Sequence, residues 1–592
     1  MDHYVFEKSL LVDSYGQVNN GKQVFQIEQL HKALPGDIVD YDANTKTLLR
    51  IIKRCADFIP GILLCNGPVM GIIKKGPTSS ILKRKFIPDD KSFPTFIVTC
   101  RKKSGPNEYG IIQFKEWESE YPLGTFINKI GNGIPGDLET EKMFHKYSHG
   151  VMRKKYSKKL DMTPYNIDIT PERKNINACI VSIDPEGCYD IDDALHIKKL
   201  SDDIYEIGIH IADVSSFIPI DSELDHEASK RCESLYLNWE QDDMFPNEIV
   251  KKASLFENIP RRSFSTIIKI KKDGTIIETH FTKSIINVTK NLSYQKAQEL
   301  VNKNKPEKIT DTIKELFELG KNLYDSKTII SSDEEYDIHT TVSVFMVLCN
   351  SLVANEIYRG GIYEPICRSH EGFSEIDIDI SDNDIKNKII QYSTSAAIYV
   401  LGKSPHKALG QSLYSHFSSP LRRYVDILSH RMLYNTIKEL TNKVSYRNLI
   451  EDLYIVNKMH SCIQKANRRS ILLQKAYNMY EKNDTVTDTF GYIIGIDDTR
   501  ILIHVPDYSI DIYAQIYSYR IKHLLAITNS INEITINHVN NGSSLTLKLG
   551  QKVDFKIIIT FREEKFTRKI FGQLTNPNPM NMFKFSLFDD DI

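Results

Sequence analysis

The alternation of hydrophobic and polar positions divides this chain into three regions. Before about residue 165 the pattern is that of short strands separated by turns. Helical patterns dominate from about 290 to 480, and strand patterns return at 491–495, 500–505 and 552–559. Short strands at such spacing are typical of five-stranded OB barrels, which bind single strands. The pattern predicts β-barrels at both ends and a mixed helical and β region between them.

A strand–turn–strand unit in the central region carries an acidic loop. Residues 178–183 form an apolar run, and residues 205–211 alternate as a half-buried strand does. Between them, residues 184–187 have the chemistry of a type I turn, with Asp first, Pro second and Gly fourth. The loop is therefore predicted to be fixed between strands, which would hold its side chains rigidly.

Four aspartates of this loop are candidate metal ligands: Asp184, Asp190, Asp192 and Asp193. No Lys or Arg lies among them, and buried like charges cost several kcal/mol each unless cations intervene. Carboxylate oxygens are hard ligands, which favours Mg²⁺ or Mn²⁺ over zinc. An arbitrary DxDD more often forms a solvated acidic turn, and the spacing does not fit a calcium-binding EF-hand loop.

A second candidate site lies at residues 419–432. Ser419 is a good N-cap and Pro420 suits a first helical position, which would place Arg422 and Arg423 in the first turn. The macrodipole disfavours cations there by about 0.3–1 kcal/mol, whereas helix N–H groups and guanidiniums together bind phosphate. The alternative is an ion pair between Arg422 and Asp426 across one turn. The apolar face of this helix would comprise Leu421, Tyr424, Val425, Leu428 and Met432.

Six ordered motifs resemble those of the RNase II (RNB) family of 3′→5′ exoribonucleases, over roughly residues 25–480. The motif sequences most resemble those of the eukaryotic, exosome-associated branch. We expect no PIN-type endonuclease domain ahead of the first barrel. The motifs are the acidic stretch at 182–196, HIADVS at 210–215, SLYL at 234–237, the stretch at 281–294, RSH at 368–370 and HFSSPLRRYVD at 416–426.

The resemblance implies a multidomain α+β fold. Two N-terminal OB-type cold-shock β-barrels are expected at 1–80 and 81–165. A central mixed α/β RNB catalytic domain would follow at 166–482, and an S1-like OB barrel at 483–592.

The resemblance also implies a reaction, the metal-dependent, processive hydrolysis of single-stranded RNA to nucleoside 5′-monophosphates. The four aspartates would hold two Mg²⁺ or Mn²⁺ ions, with Asp192 the most indispensable. Arg422 would neutralise charge on the scissile phosphate, and Arg423 would bind RNA beside it. Tyr294 would stack on the 3′-terminal base, and Tyr236 would contact nucleotides near that end. His210 and Asp213 are assigned to structure.

One departure from the family pattern concerns a long helix. Family members carry two adjacent glutamates where this chain has Ser343 and Val344. The family's second stacking aromatic is not evident either, and Tyr336 is a candidate substitute, as Glu334 or Glu335 is for the carboxylate. The departure leaves an alternative open, in which the chain is a catalytically weak or inactive RNB-fold RNA-binding or scaffold protein.

Composition adds three constraints. A chain of 592 residues is too long for a single hydrophobic core, so several domains are expected. Its content of 41% apolar and 26% charged residues is ordinary for a soluble protein. Nine cysteines without a CxxC pair argue against structural zinc and for a reducing compartment. The net charge is −1, but basic clusters at 83–85, 101–103 and 153–159 oppose an acidic tail at 589–591. Local basic lining, not the mean charge, sets phosphate affinity.

These features predict where the protein works. The N-terminus lacks a secretory pattern, and the most apolar run, 342–354, reads as a buried core helix. We therefore expect a cytoplasmic or nuclear protein without a membrane association. The expected partners are single-stranded RNA and an exosome-like complex, and the catalytic chain is expected to be a monomer.

Overall fold

The computed structural model describes residues 9–131, 165 and 172–578, with internal gaps. The larger gaps are 27–31, 43–46, 75–79, 238–240, 304–306, most of 328–334 and 373–381, 441–445, 482–485, 517–524 and 563–566. The basic clusters at 101–103 and 153–159, the acidic tail and Glu334 therefore lie outside the described residues.

Two sheets precede the central domain. The first comprises β1 (Ser9–Ser14), β2 (Gln17–Asn19), β3 (Val24–Gln26), β4 (Ile38–Asp42) and β5 (Thr47–Lys53), in the order β3-β2-β1-β4-β5. The second comprises β6 (Phe58–Leu63), β7 (Gly71–Lys74), β8 (Ser80–Pro88), β9 (Phe96–Cys100), β10 (Glu108–Glu116) and β11 (Leu123–Gly131). Its order is β6-β10-β11-β9-β8-β7, and β6 also pairs with β8. This sheet crosses residue 80, where the sequence placed a domain boundary, and the boundaries stay predictions.

The central sheet is built from strands whose inward positions are branched and apolar, such as Ile207, Ile209 and Ile211, all fully buried. Its strand order is β12-β19-β18-β15-β14-β13-β20, and β16 pairs with β17 beside it. The bounds are β12 (Lys174–Asn175), β13 (Val181–Asp184), β14 (Asp193–Lys199), β15 (Ile204–Ala212), β16 (Leu235–Tyr236), β17 (Gln241–Asp242), β18 (Pro260–Lys271), β19 (Ile276–Asn287) and β20 (Lys290–Ser293).

Helices cover this sheet and share one hydrophobic core with it, except the helix at 383–393, which packs into the core of the C-terminal barrel. The described helices are α1 (Glu223–Arg231), α2 (Asn247–Ala253), α3 (Tyr294–Asn302), α4 (Lys308–Asp325), α5 (Ile338–Gly360), α6 (Asn383–Ser393), α7 (Tyr424–Ile437) and α8 (Tyr446–Glu481). Among them, only α5 has the length and apolar composition of a membrane span, but 61% of that window is buried inside the protein. Its packing is that of the core helix that the sequence predicted.

The remaining strands form a pair in the central domain and a separate C-terminal unit. They are β21 (Ile366–Ser369), β22 (Ile398–Leu401), β23 (Val486–Ile496), β24 (Arg500–Val505), β25 (Ile510–Gln515), β26 (Leu525–Asn529), β27 (Glu533–His538), β28 (Ser544–Lys548), β29 (Lys552–Arg562) and β30 (Thr567–Asn576). A closed barrel forms in the order β23-β24-β25-β30-β29. The multidomain α+β architecture with a closed barrel is thereby confirmed, whereas the detailed OB arrangement stays a prediction.

Candidate active site

The acidic loop joins two neighbouring strands of the central sheet. Asp184 ends β13 and Asp193 begins β14. The predicted turn over 184–187 is wrong by one residue. The Cys188 N–H donates to the Pro185 carbonyl at 3.1 Å, and Gly187 has a φ of 80°. Glycine thus takes the third position of the turn, where a type II turn needs a positive φ.

Each of three aspartates has a different environment. Asp192 is 5% exposed, and its Oδ1 accepts the Leu421 N–H at 2.8 Å. Asp190 accepts the Tyr236 hydroxyl at 2.6 Å on Oδ2. Asp184 has a buried Oδ2 that accepts no hydrogen bond from the described residues.

Burial raises the pKa values of three carboxyls in this loop, those of Asp184, Asp192 and Asp193. Burial raises the pKa of Asp184 to about 6, and the charge of Asp190 adds to the effect. Burial, and after it the charge of Asp184, raises the pKa of Asp193 to about 8, against the opposing influence of Arg422. Burial also holds the pKa of Asp192 well above its usual range. A cation beside these carboxyls would therefore stabilise their charged forms.

The donor set suits a hard cation, although it is not yet arranged as a cage. Within the described ranges, no three His, Cys, Asp or Glu side chains converge to hold a metal ion. The unpartnered Oδ2 of Asp184 and the raised pKa values of its neighbours nevertheless fit an oxygen-ligated divalent ion. The Tyr236 hydroxyl holds Asp190 Oδ2 and the Leu421 N–H holds Asp192 Oδ1, while Asp190 Oδ1 accepts the Cys188 thiol at 3.3 Å.

The arginine segment is a turn that precedes the helix, not its first turn as the sequence predicted. The Arg423 N–H donates to the Ser419 carbonyl at 3.0 Å, and α7 begins only at Tyr424, with Arg423 as its N-cap residue. The predicted apolar face is buried throughout, from Leu421 to Met432. Backbone bonds from Ser234 to the Arg422 carbonyl (2.9 Å) and from Tyr424 to the Cys232 carbonyl (2.8 Å) dock the segment beside β16. This docking explains why the helix begins only at Tyr424.

The two arginines have opposite environments. Arg422 is 44% exposed, donates to the Ser419 hydroxyl at 3.0 Å and has its Nε 3.8 Å from Asp192 Oδ2. Arg423 is largely buried and donates to Asp426 Oδ1 at 2.8 Å. The ion pair that the sequence considered for Arg422 thus belongs to Arg423. Arg422 faces the acidic loop, whereas Arg423 is placed to stabilise the turn beneath it.

Both predicted tyrosines lie beside the acidic loop. Tyr236, 36% exposed, reaches Asp190 from β16. Tyr294 begins α3, directly after Ser293, which lies opposite Asp184 in the parallel pairing of β20 with β13. Burial, and then the charges of Asp193 and Asp184, raise the pKa of Tyr294 to about 12. The roles of these tyrosines in RNA binding stay predictions.

The sequence missed His339. Its ring stacks on Tyr294, with centroids 3.6 Å apart and planes inclined by 16°. The signal was present, since His339 lies four residues before Ser343, on one helical face. Both side chains are exposed on α5.

The family's two glutamate positions differ in burial. Val344 is fully buried, while Ser343 is exposed. Tyr336 packs edge-on against Phe317, with centroids 5.0 Å apart, and donates to the Phe317 carbonyl at 3.3 Å. Its packing is that of a core residue, which argues against the substitution proposed for it. Glu335 is exposed.

His210 and Asp213 have the structural environments that the sequence assigned to them. The His210 ring bonds the His196 ring at 2.8 Å and the Ser265 hydroxyl at 2.7 Å. Asp213 is fully buried and pairs with Lys283 at 2.6 Å and Arg173 at 2.8 Å. Buried charges satisfied in this way fix the packing of the sheet beneath the acidic loop.

Comparison with known proteins shows what this chain is similar to. The RNB domain profile matches residues 173–439. The exosome complex exonuclease RRP44 of Mus musculus is 27% identical over 560 residues, which cover 80% of this chain and 58% of the relative. The chain spans about half the length of the curated relatives that it matches.

Two solved structures share the fold. Mycoplasma genitalium RNase R, in complex with ribose-methylated single-stranded RNA, has a TM-score of 0.69 at 17% identity, covering 95% of this chain and 99% of that one. Yeast Ssd1, described as a pseudonuclease, has a TM-score of 0.74 at 14% identity, covering 97% and 96%. At such identities the likeness shows a common fold.

Proposed function

Since this chain carries an RNB domain at residues 173–439, we propose that it is a processive 3′→5′ exoribonuclease. The substrate is single-stranded RNA and the products are nucleoside 5′-monophosphates. The observation that supports this proposal is the approach of Arg422 to within 3.8 Å of the buried Asp192, beside three half-buried aspartates. The guanidinium of Arg422 can bind the phosphate of an RNA phosphodiester from one side, while the carboxylates can hold metal ions on the other side.

The acidic loop is the proposed binding site for two divalent ions. RNB exoribonucleases generally depend on such metals. When bound, Mg²⁺ or Mn²⁺ supplies Lewis-acid activation of water and stabilisation of the leaving oxygen. Asp184, Asp190, Asp192 and Asp193 would be the ligands, and the Tyr236 hydroxyl and the Leu421 N–H orient two of them.

The other residues act on the RNA itself. Arg422, fixed by the Ser419 hydroxyl, neutralises charge that develops on the scissile phosphate. Tyr236 contacts nucleotides at the 3′ end, and Tyr294 belongs to the stacking surface for the terminal base. Stacking contributes about 1–3 kcal/mol per base without sequence preference. Arg423 supports the Arg422 turn through Asp426 and is the more remote of the two from the strand. Contacts to 2′-hydroxyls would exclude DNA.

A labelled single-stranded RNA incubated with Mg²⁺ tests the proposal. We expect release of mononucleotides from the 3′ end by the wild type and none by Asp192→Asn. The matched control is Asp202→Asn, which alters a fully exposed aspartate that pairs with Lys199 at 3.0 Å. Equal release by Asp192→Asn and the wild type, or no release by either, would remove the proposal.

The second candidate is an RNA-binding or scaffold protein with little or no catalysis. The observations that favour it are Ser343 and Val344 at the family's glutamate positions and the absence of a ready-made cage among the described carboxylates. Its solved neighbour Ssd1 is described as a pseudonuclease. Tight binding of the same RNA without cleavage, in both Mg²⁺ and Mn²⁺, would select this candidate.

We also propose an exosome-like partner, because the mouse relative is named as an exosome complex exonuclease. The isolated chain should sediment as a monomer and work in the cytoplasm or nucleus. Co-sedimentation with a purified exosome core measures the association, and its failure at micromolar concentrations would remove this partner.

A further inference from the structure

The stacked pair formed by Tyr294 and His339 is unexplained by the proposed catalytic roles. A centroid separation of 3.6 Å with nearly parallel planes means that the imidazole covers one face of the phenol ring. The pair is held in place from both sides. Tyr294 begins α3 directly after β20, and the Ile338 N–H, adjacent to His339, donates to Gln298 of α3 at 3.0 Å.

The two rings differ in exposure. Tyr294 is half-buried and packs against the hydrophobic core of the central domain, whereas His339 is exposed. The layers therefore run from the core through Tyr294 and His339 to solvent. A nucleobase that approaches the stacked pair from solvent meets the imidazole of His339 first.

The stacked pair lies beside the acidic loop. Ser293, directly before Tyr294, lies opposite Asp184 in the parallel pairing of β20 with β13. Ser343 lies one helical turn beyond His339 on the same exposed face of α5, where it leaves room that a larger acidic side chain would occupy.

We propose that His339 is a nucleotide-binding residue of this chain, and that its solvent-facing ring stacks on the 3′-terminal base of a single RNA strand. The inference rests on the proposed single-stranded RNA substrate. Tyr294 then acts through His339 as the inner layer that keeps the imidazole flat against the core. Stacking accepts any base, because every base has a π face.

The test measures stacking directly. An oligoribonucleotide with 2-aminopurine at its 3′ terminus is titrated with protein in EDTA, where cleavage does not interfere. We expect the wild type and His339→Phe to quench the fluorescence, because both present a flat ring. His339→Ala should lose the quench and about 5- to 150-fold in affinity, the range that one lost stacking interaction predicts. The matched control is His280→Ala, which removes an exposed histidine from β19.

Each outcome supports or overturns the inference. Unchanged quenching and affinity in His339→Ala overturn it, and so does tighter binding, which would mean that the ring blocks the base. A quench by 5′-terminal 2-aminopurine that equals the 3′-terminal one overturns it as well. If the wild type never hydrolyses RNA but shows the His339-dependent quench, the proposed exonuclease fails and the stacking residue stands. If hydrolysis is normal and the quench is insensitive to His339→Ala, the exonuclease stands and the stacking residue fails.

Discussion

The backbone N–H of Leu421 donates to Asp192 Oδ1 at 2.8 Å, across 229 residues of sequence. Both partners are buried, so the bond fixes the distance between the acidic loop and the turn that carries Arg422. A single carboxylate thus serves as a candidate metal ligand and as the anchor of the phosphate-facing arginine.

That double role separates two substitutions at Asp192. Asp192→Asn keeps an oxygen for the Leu421 N–H, whereas Asp192→Ala leaves the buried donor unpaired. We expect both to abolish hydrolysis, and Ala to be less stable than Asn by about 1–3 kcal/mol. Urea unfolding beside the RNA assay measures the difference. Equal stabilities would mean that the bond contributes nothing.

The neighbouring arginines should separate activity from stability. Arg422→Ala is expected to lower turnover by about 10²–10³-fold, because it removes charge stabilisation near the phosphate. Its stability should change by less than about 0.5 kcal/mol, since the side chain is exposed. Arg423→Ala should lower the free energy of unfolding by about 3–5 kcal/mol, because the buried Asp426 would lose its ion-pair partner and keep the Ser419 N–H. Turnover and denaturant midpoints of the two variants provide the measurement, and a reversed pattern would exchange the two roles.

The metal-free protein should lose stability as pH rises. The pKa of Asp193 is about 8 in the folded chain, above its unfolded value, so the folded state binds more protons between about pH 4 and pH 8. Stability therefore falls with increasing pH across this window. In EDTA at pH 8, the free energy of unfolding of Asp193→Asn should exceed that of the wild type by at least about 1 kcal/mol. This gain in stability should vanish near pH 4.

Calorimetric melting temperatures at several pH values measure this effect. Asp202→Asn, at an exposed position, is the control and should follow the wild type. At pH 8, Mg²⁺ should raise the melting temperature of the wild type but leave that of Asp193→Asn little changed. A gain in the variant that is independent of pH would show that folding does not raise the pKa of this aspartate.

Tyr236 combines a ring with an orienting hydroxyl. Tyr236→Phe loses only the donor to Asp190, so the Mg²⁺ concentration needed for half-maximal activity should rise by about 10–100-fold, as expected for a partner that orients a ligand. RNA affinity in EDTA should change little, because the ring remains. Tyr236→Ala should lose both properties. An unchanged Mg²⁺ requirement in the Phe variant would show that Asp190 needs no such orientation.

Glutamate can be returned to only one of the two positions on α5. Ser343→Glu should fold normally, because its side chain is exposed, and should raise turnover if the missing carboxylate limits catalysis. Val344→Glu should destabilise the chain by several kcal/mol, since it buries an unpaired charge in the core. Single-turnover rates and unfolding curves distinguish them. No gain in Ser343→Glu would show that the exposed position does not face the leaving nucleotide.

The sequence was sufficient where the relevant pattern is local or carried by a motif. The apolar run at 178–183 and the alternation at 205–211 predicted two strands of the sheet that holds the acidic loop, and the family-like motif named Arg422 as the arginine of the site. The apolar stripe of α7 was correctly predicted to be buried. Local rules failed where distant chain segments compete for the same backbone, as at Arg423, which pairs across to Glu233 and serves as the N-cap residue of the helix.

The sequence by itself determined the charge of the acidic loop, the strands that bracket it and the family resemblance, because spacing and side-chain chemistry are written along the chain. Only the tertiary structure decided that Arg423 precedes α7 instead of lying in its first turn, which of two family positions is exposed, and that His339 covers Tyr294. The reason is physical: side-chain burial and ring stacking depend on how α3, α5 and the Arg422 turn pack around one sheet edge, and no local pattern encodes those distances.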